Sequence, residues 1–277
     1  MKINLNQSHN CSMSIKPSES TCPLVSVIIA VYNGQVNLES TLVSIFNQTY
    51  QNLEVIVIDG GSSDGTIDII SKYRRRISYY ISEPDKGISD AFNKGVKAAR
   101  GTYINFQGDG DGFWEKDSLD KAMMEVDPKL DLLVGCRIAR VSEDGAVLFI
   151  SNQMNHFSKT SLLFRMSLPH QGLLTHKKFF EDYGLFDVNN KFCMDYEHLL
   201  RAYHDFPRVK LQNVILAQWR ADGLGNNREL DIYKEYDAIK RKHKLAPSWV
   251  LSLVNYWTLL KYNIKMLLQM LKIYRMT

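Results

Sequence analysis

Two carboxylates stand one residue apart in a run of glycines, Gln107-Gly108-Asp109-Gly110-Asp111-Gly112, directly after the apolar segment 103–106. Glycine lets the backbone turn sharply and approach a ligand closely, and neighbouring carboxylates repel each other unless a cation lies between them. Carboxylate oxygens suit Mg2+ or Mn2+. Aspartate and glycine also dominate ordinary turns. The motif alone therefore predicts either a surface turn or a divalent-metal site.

The chain around this motif alternates between short apolar runs and helical periods. Strands are predicted at 24–31, 53–58, 77–81 and 103–106, and helices at 36–48, 64–75 and 88–99. This alternation predicts an α/β fold with a central, mostly parallel sheet flanked by helices. The second half predicts a hairpin over 131–150, a helix over 194–204, a strand over 209–219 and a charged helix over 228–243.

Three polar segments directly follow predicted strands: Tyr32-Asn33, the run from Asp59 to Ser63, and the run from Asp109 to Asp111. In a parallel sheet, ligands bind outside the carboxyl ends of the strands. We therefore expect the three segments to meet at one edge of the sheet, which favours a site over a plain turn.

Composition restricts the possible functions. The chain has 277 residues, 45% of them apolar, and a net charge of +4. This charge is mild and spread through the sequence except for a basic bias near the C-terminus, which argues against nucleic acid as a partner. The four cysteines show no paired spacing, which fits a reducing, cytoplasmic compartment. Residues 1–22 lack the apolar core of a signal peptide and are predicted to form a flexible leader.

A recognisable series of motifs consists of Val25 to Asn33, Val57 to Thr66, Ile81 to Ile88, Asn93 to Gly95 and the aspartates that follow the strands. The series resembles glycosyltransferase family 2, most closely its bacterial O-antigen and exopolysaccharide members. The likeness covers about residues 24–222. It implies a catalytic domain of the GT-A type over 23–227, followed by a helical extension over 228–277. It also implies inverting transfer of a hexose or N-acetylhexosamine from a nucleotide sugar to an acceptor hydroxyl. The expected donor is a UDP-sugar, and the expected cofactor is Mn2+ or Mg2+.

The resemblance assigns roles on the donor side. Asp111 is the expected metal ligand, with Asp109 on the metal or the ribose. Nucleotide contacts are expected from Ala30, Tyr32, Asp59, Asp85, Lys86 and Asn93. Gly60 departs from the commoner family pattern, which has a second acid at this position, so the base is less well defined.

On the acceptor side, the resemblance makes Asp195 the general base, with Glu197 as its nearest rival. A carboxylate near a helix start is also an ordinary contact with the helix dipole. His170 and Gln171 are expected near the donor sugar and acceptor, although His170 is equally compatible with a buried structural role. Arg220 is expected at the acceptor or diphosphate, with a surface ion pair as the alternative.

The segment 249–276 predicts an amphipathic basic helix. Its polar arc contains Thr258, Lys261, Lys265, Gln269, Lys272 and Arg275, and Trp257, Leu260, Ile264, Leu267, Leu268 and Leu271 lie outside that arc. We expect it to hold the enzyme peripherally on the inner face of the cytoplasmic membrane, beside a polyprenyl-diphosphate-linked saccharide acceptor. Packing on its own domain or on a homodimer partner is the alternative.

Two other functions compete with the transferase. A nucleotidyltransferase also joins a parallel sheet to an acidic metal site, but it would need a basic, glycine-rich loop soon after the first strand, and residues 32–35 have no basic residue. A membrane-associated, non-catalytic scaffold with a degenerate transferase domain is suggested by Gly60 and by the extra glycines around the aspartates.

Overall fold

The computed structural model describes residues 22–153, 155–221 and 228–271. The strands are β1 (Val25–Val31), β2 (Leu53–Asp59), β3 (Tyr79–Ser82), β4 (Tyr103–Gly108), β5 (Gly112–Phe113), β6 (Leu133–Val141), β7 (Val147–Ile150), β8 (Leu173–His176) and β9 (Val209–Arg220). The α-helices are α1 (Leu38–Phe46), α2 (Thr66–Lys72), α3 (Ile88–Ala98), α4 (Ser118–Met123), α5 (Lys177–Tyr183), α6 (Met194–Arg201), α7 (Glu229–Lys242) and α8 (Ser248–Met270). The predicted leader lies almost wholly outside the described residues.

The strands form one sheet in the order β3-β2-β1-β4-β8-β6-β9-β5, with β7 paired to β6. The pairs among β1 to β4 are parallel, and β6 pairs with β9 in parallel, whereas β8 runs against β4 and β6. β1 to β4, β6 and β9 therefore run in one direction, and β5, β7 and β8 run in the other. The predicted α/β class is confirmed.

Buried apolar residues cover both faces of the amino-terminal half of the sheet. Every residue of β1 is buried, as its nearly continuous apolar sequence predicts. Val27 and Ile29 of β1 belong to a cluster with α1, and Ile28 belongs to a second cluster with α3. β1 and β4 are adjacent, with Ala30 opposite Gly108, so the loops after them meet at the same edge.

The chain ends, within the described residues, in two helices that pack on each other. α7 lies against α6, where Ile239 joins a cluster with Tyr196 and Leu200. α8 follows Pro247 and packs on α7, with Lys265 and Glu229 2.6 Å apart. None of the described helices combines the length and the apolar character required to cross a bilayer.

Candidate active site

The Asp109-Gly110-Asp111 turn is held rigidly by α1 and β9. Gly110 has a φ of +89°, which side-chain-bearing residues rarely adopt, and a Cβ there would lie 2.5 Å from Cδ of Arg220. The hydroxyl of Thr41 donates to the Asp111 carbonyl at 2.7 Å and accepts from the Gly110 N–H at 2.8 Å. The turn is therefore a fixed feature that presents two carboxylates.

Asp111 is a buried carboxylate. Among the described contacts, no cationic side chain bonds to it. It accepts hydrogen bonds from the backbone N–H groups of Gly108 at 3.1 Å and Arg220 at 3.2 Å, and from Nε2 of Gln171 at 3.2 Å. Burial, opposed in part by these bonds and reinforced by the charge of Asp109, raises the pKa of Asp111 from 3.8 to about 6. Within the described contacts, only neutral N–H groups bond this carboxylate.

This donor set fits a divalent cation shared with a ligand. The described residues contain no group of three His, Cys, Asp or Glu side chains able to enclose a metal ion. Mg2+ and Mn2+ do not need such a cage, because they bind through one or two carboxylates and complete their shell with water and phosphate oxygens. Asp109 and Asp111 would hold such an ion, and its charge would offset the unfavourable burial of Asp111.

Tyr32, Gly60 and Asp85 come together at the ends of the first three strands. A Cβ at position 60 would lie 2.8 Å from Oδ2 of Asp85 and 3.3 Å from Cδ2 of Tyr32. Tyr32 is 65% exposed, and Ala30 lies behind it at the end of β1. The departure at Gly60 thus has a structural reason, because the Asp85 carboxylate occupies the space that a side chain would need.

Asp59, Asn93 and Lys86 each have contacts within the protein itself. The fully buried carboxylate of Asp59 accepts from the N–H groups of Gly61 and Ser62 at 3.2 and 3.0 Å, so it shapes the loop after β2.

Asn93 is also occupied elsewhere: its amide donates to the carbonyl of Phe186 at 2.9 Å and accepts from the N–H of that residue at 2.9 Å. Lys86 is exposed on the loop before α3, where its N–H donates to Asp90 at 3.1 Å. The structure gives Asp59 and Asn93 scaffolding contacts, and their contact with a nucleotide stays a prediction.

A cavity of about 580 Å³ extends from Asp111 across the sheet edge toward α6 and α7. Gln171, His170 and Asp195 also line it. Four of the predicted site residues therefore share one space although they come from separate segments, whereas the other predicted site residues are not among those that line it.

His170 combines an aromatic environment with an unmet polar group. Its ring stacks on Phe106 with the ring centres 4.8 Å apart, and Nε2 has no hydrogen-bond partner among the described residues. Burial lowers the pKa of His170, so the ring is neutral near pH 7. It is not a satisfied core histidine, because a neutral imidazole nitrogen at the cavity remains able to bond a hydroxyl.

Asp195 and Glu197 are separated by their surroundings. Oδ1 of Asp195 accepts from the N–H of Tyr196 at 2.8 Å, and no other hydrogen bond holds this carboxylate within the described residues. Glu197 is buried and bonded to Arg201 at 2.6 Å and to His243 at 2.8 Å. Burial alone would raise the pKa of Glu197, but these partners outweigh it and lower the pKa. Only Asp195 of the pair lines the cavity among the described residues.

α7 supports the segment that carries Asp195. Glu235 accepts from the N–H groups of Phe192 and Cys193 at 3.2 Å, and the ring of Tyr236 lies 4.1 Å from that of Tyr196. Ile232 and Tyr236 also line the cavity. Sequence reasoning missed these residues because it placed α7 beyond the catalytic domain. The signal that could have found them was the apolar spacing of Ile232, Tyr236 and Ile239 within a charged helix.

Arg220 closes the turn from the side of β9. Its N–H bonds Asp111, its side chain covers Gly110, and Nη1 donates to Asn37 at 2.7 Å. Trp219 before it lines the cavity, 5.1 Å from the guanidinium of Arg140. Arg220 is therefore no isolated surface ion pair, and it places positive charge beside the aspartate turn.

The fold matches a class of solved structures, the GT-A glycosyltransferases. S. aureus TarS 1–349 in complex with UDP-GlcNAc shares 18% identity at a TM-score of 0.66, covering 85% of this chain and 71% of that one. The mannosyltransferase PcManGT of Pyrobaculum calidifontis, in complex with GDP-Man and Mn2+, shares 18% identity at a TM-score of 0.64, covering 89% and 74%. At this identity the likeness shows the fold alone.

Sequence comparison goes further. The model of Glycosyl transferase family 2 matches residues 26–194, and the chain belongs to this family. An uncharacterized glycosyltransferase of Rickettsia typhi is 30% identical over 78% of this chain and 70% of its own length. The PGL/p-HBAD biosynthesis glycosyltransferase of Mycobacterium bovis is 28% identical over 85% of this chain and 91% of its own. The predicted family is confirmed. The O-antigen subgroup remains a prediction.

Proposed function

We propose that this family 2 enzyme transfers a hexose or N-acetylhexosamine from a UDP-sugar to an acceptor hydroxyl with inversion. The observation that carries the proposal is the shared cavity: Asp111, from the end of β4, and Asp195, from the start of α6, line the same space. We assign the first carboxylate to the metal–diphosphate and the second to the acceptor.

Asp195 is the proposed general base. An inverting transfer requires a carboxylate that takes the acceptor proton on the face opposite the leaving group. One oxygen of Asp195 is tied to the Tyr196 N–H, which fixes the carboxylate and leaves the second oxygen to face the acceptor hydroxyl. His170 and Gln171 are proposed to orient hydroxyl groups of the sugar or acceptor, and Arg220 to place positive charge beside the turn that holds the diphosphate.

A divalent cation held by Asp109 and Asp111 would neutralise the charge that grows on the diphosphate as the glycosidic bond breaks. On the nucleotide side, Tyr32 is proposed to stack on the base and Asp85 to accept a hydrogen bond from it, beside Gly60. Ala30 and Lys86 complete the proposed nucleotide contacts. A carboxylate can accept a hydrogen bond from the imide N–H of uracil, so this contact is compatible with UDP.

The proposed acceptor is a polyprenyl-diphosphate-linked saccharide in the synthesis of a surface polysaccharide, reached from the cytoplasmic face of the membrane. The basic, apolar α8 supports this location.

Incubation of the full chain with UDP-, GDP- and dTDP-sugars and Mn2+ tests the reaction. Slow donor hydrolysis that releases nucleoside diphosphate is the expected result. Consumption of added inorganic diphosphate, with formation of a nucleoside triphosphate and a sugar 1-phosphate, would indicate a nucleotidyltransferase. A protein that neither binds nor hydrolyses any of these donors would be the non-catalytic scaffold, and the proposal would fail.

A further inference from the structure

One side of α8 is apolar and faces solvent. With about 100° between successive helical residues, all of its large exposed apolar side chains except Met266 fall within an arc of about 100°. This exposed apolar stripe consists of Trp249, Leu253, Tyr256, Trp257, Ile264 and Leu267, together with Leu271 directly after the helix. A helix of a globular protein ordinarily turns such a stripe toward the core. Here it points away from the protein.

The opposite side of α8 already has its contacts. Leu251 and Val254 are buried, the ring of Tyr262 lies 6.0 Å from that of Tyr233 in α7, and Lys265 pairs with Glu229. Lys265, which the sequence places on an exposed polar arc, thus contacts α7. Because α7 fixes the orientation of α8, the exposed apolar stripe cannot turn inward without breaking these contacts.

The charges around α8 indicate which kind of partner binds the exposed apolar stripe. From residue 238 to the C-terminus the sequence has no Asp or Glu, whereas Lys244, Lys261, Lys265, Lys272 and Arg275 lie in or beside this segment. Lys261 is exposed at the border of the stripe, 5.1 Å from the ring of Trp257. A second copy docked on the stripe would bring the same basic tail against itself, with no acid of the tail to compensate.

An anionic bilayer surface meets both requirements. Tryptophan and tyrosine suit the boundary between head groups and acyl chains, leucine and isoleucine enter the apolar layer, and lysines bind anionic head groups. We propose that α8 lies flat on an anionic phospholipid surface, with the exposed apolar stripe inserted. This deepens the proposed membrane location by naming the surface that makes the contact, and it does not depend on the sugar-transfer reaction.

Co-sedimentation of the full chain with vesicles tests this inference without donor or acceptor. The probes are phosphatidylcholine vesicles with and without phosphatidylglycerol, and the stripe variant is Leu253→Glu with Ile264→Glu. The matched control is Met124→Glu with Leu130→Glu, which replaces two exposed apolar residues elsewhere and changes the net charge equally. All four positions are exposed, so thermal unfolding should be unchanged in both variants.

We expect the wild type and the control to bind anionic vesicles, and the stripe variant to partition at least about tenfold less. Weaker binding of the wild type to pure phosphatidylcholine, or at high salt, would confirm the contribution of the lysines. Equal binding by both variants, or none by the wild type, overturns the inference. A wild-type dimer that the stripe variant converts to monomer, without vesicle binding, would identify a second copy as the occupant and also overturn it.

Discussion

Replacement of Asp111 by asparagine should change protein stability and metal-dependent donor binding in opposite directions. Burial raises the pKa of Asp111 from 3.8 to about 6, so above pH 6 the folded state keeps an unfavourable charge. A difference of about two pKa units corresponds to roughly 3 kcal/mol of lost stability near neutral pH. The cost is fully present above the folded pKa and disappears as the pH falls through about 6 toward 4, because the carboxyl then protonates.

The Asp111→Asn substitution would remove this charge but would bring its own penalty. The three N–H groups that bond Asp111 use both carboxylate oxygens. An amide has one acceptor oxygen, so one of these N–H groups would face an NH2 group, at a cost of roughly 1–2 kcal/mol. In EDTA near pH 8, we therefore expect the free energy of unfolding of Asp111→Asn to be roughly 1–2 kcal/mol higher than that of the wild type.

Urea unfolding in EDTA at several pH values measures this difference, which should shrink to nothing or reverse by about pH 4. With Mn2+ and UDP the order should invert at neutral pH, because only the wild type gains stability from the bound metal–nucleotide. A variant that is no more stable than wild type near pH 8, with parallel pH curves, would refute the electrostatic account of Asp111.

Asp187 provides a control of opposite sign. Hydrogen bonds from the Asn189 N–H and from Lys242 lower the pKa of Asp187 to about 2. Asp187→Asn should therefore destabilise the protein above about pH 4, and the deficit should vanish as the pH falls toward 2.

Three further substitutions test the roles of individual residues. Asp195→Asn should abolish transfer, whereas its donor affinity, measured by calorimetry, should stay near that of the wild type. If Asp195→Asn lost donor binding instead, Asp195 would have the role that we assign to Asp111. Glu235→Gln should lower kcat several-fold with little change in donor affinity, because it loosens the start of α6, and an unchanged kcat would show that this support is dispensable. Gly60→Asp should weaken UDP-sugar binding at least about tenfold, because its side chain would meet the Asp85 carboxylate. Adding Asp85→Ala should restore part of that affinity, and equal affinities in all three proteins would contradict the geometry.

The parts of the fold that the sequence predicts are those where burial restricts residue choice. β1, β2 and β4 are almost wholly buried, so their predominantly apolar sequences predict them. Their parallel pairing then places Tyr32 and Asp111 at one edge, because the carboxyl ends of parallel strands coincide. β5 and α4 are too short for a periodic signal, and they were missed for that reason.

Side-chain roles were less predictable, because the same residue type can serve a ligand or a loop. Asp59 and Asn93 follow the family pattern, yet backbone groups of the protein occupy their polar atoms. Gln171 reaches Asp111 only because β8 pairs with β4, a non-local fact that no spacing reveals. Likewise, the side of α8 that faces α7 depends on the contact between Lys265 and Glu229, and hydrophobic periodicity alone gives no direction.

The aspartate site is held in place by contacts within the protein itself. The groups that bond Asp111 come from β4, from the segment before β8 and from β9, and Thr41 of α1 holds the turn itself. Four separate segments thus fix a carboxylate in a setting that disfavours its charge. A bound cation would relieve that unfavourable charge without reorganising the protein, which is the arrangement expected of a preorganised electrostatic site. The unfavourable charge of Asp111 lowers the stability of the free enzyme and would raise its affinity for the metal–diphosphate. A substitution that removes this charge should therefore increase stability and weaken donor binding together.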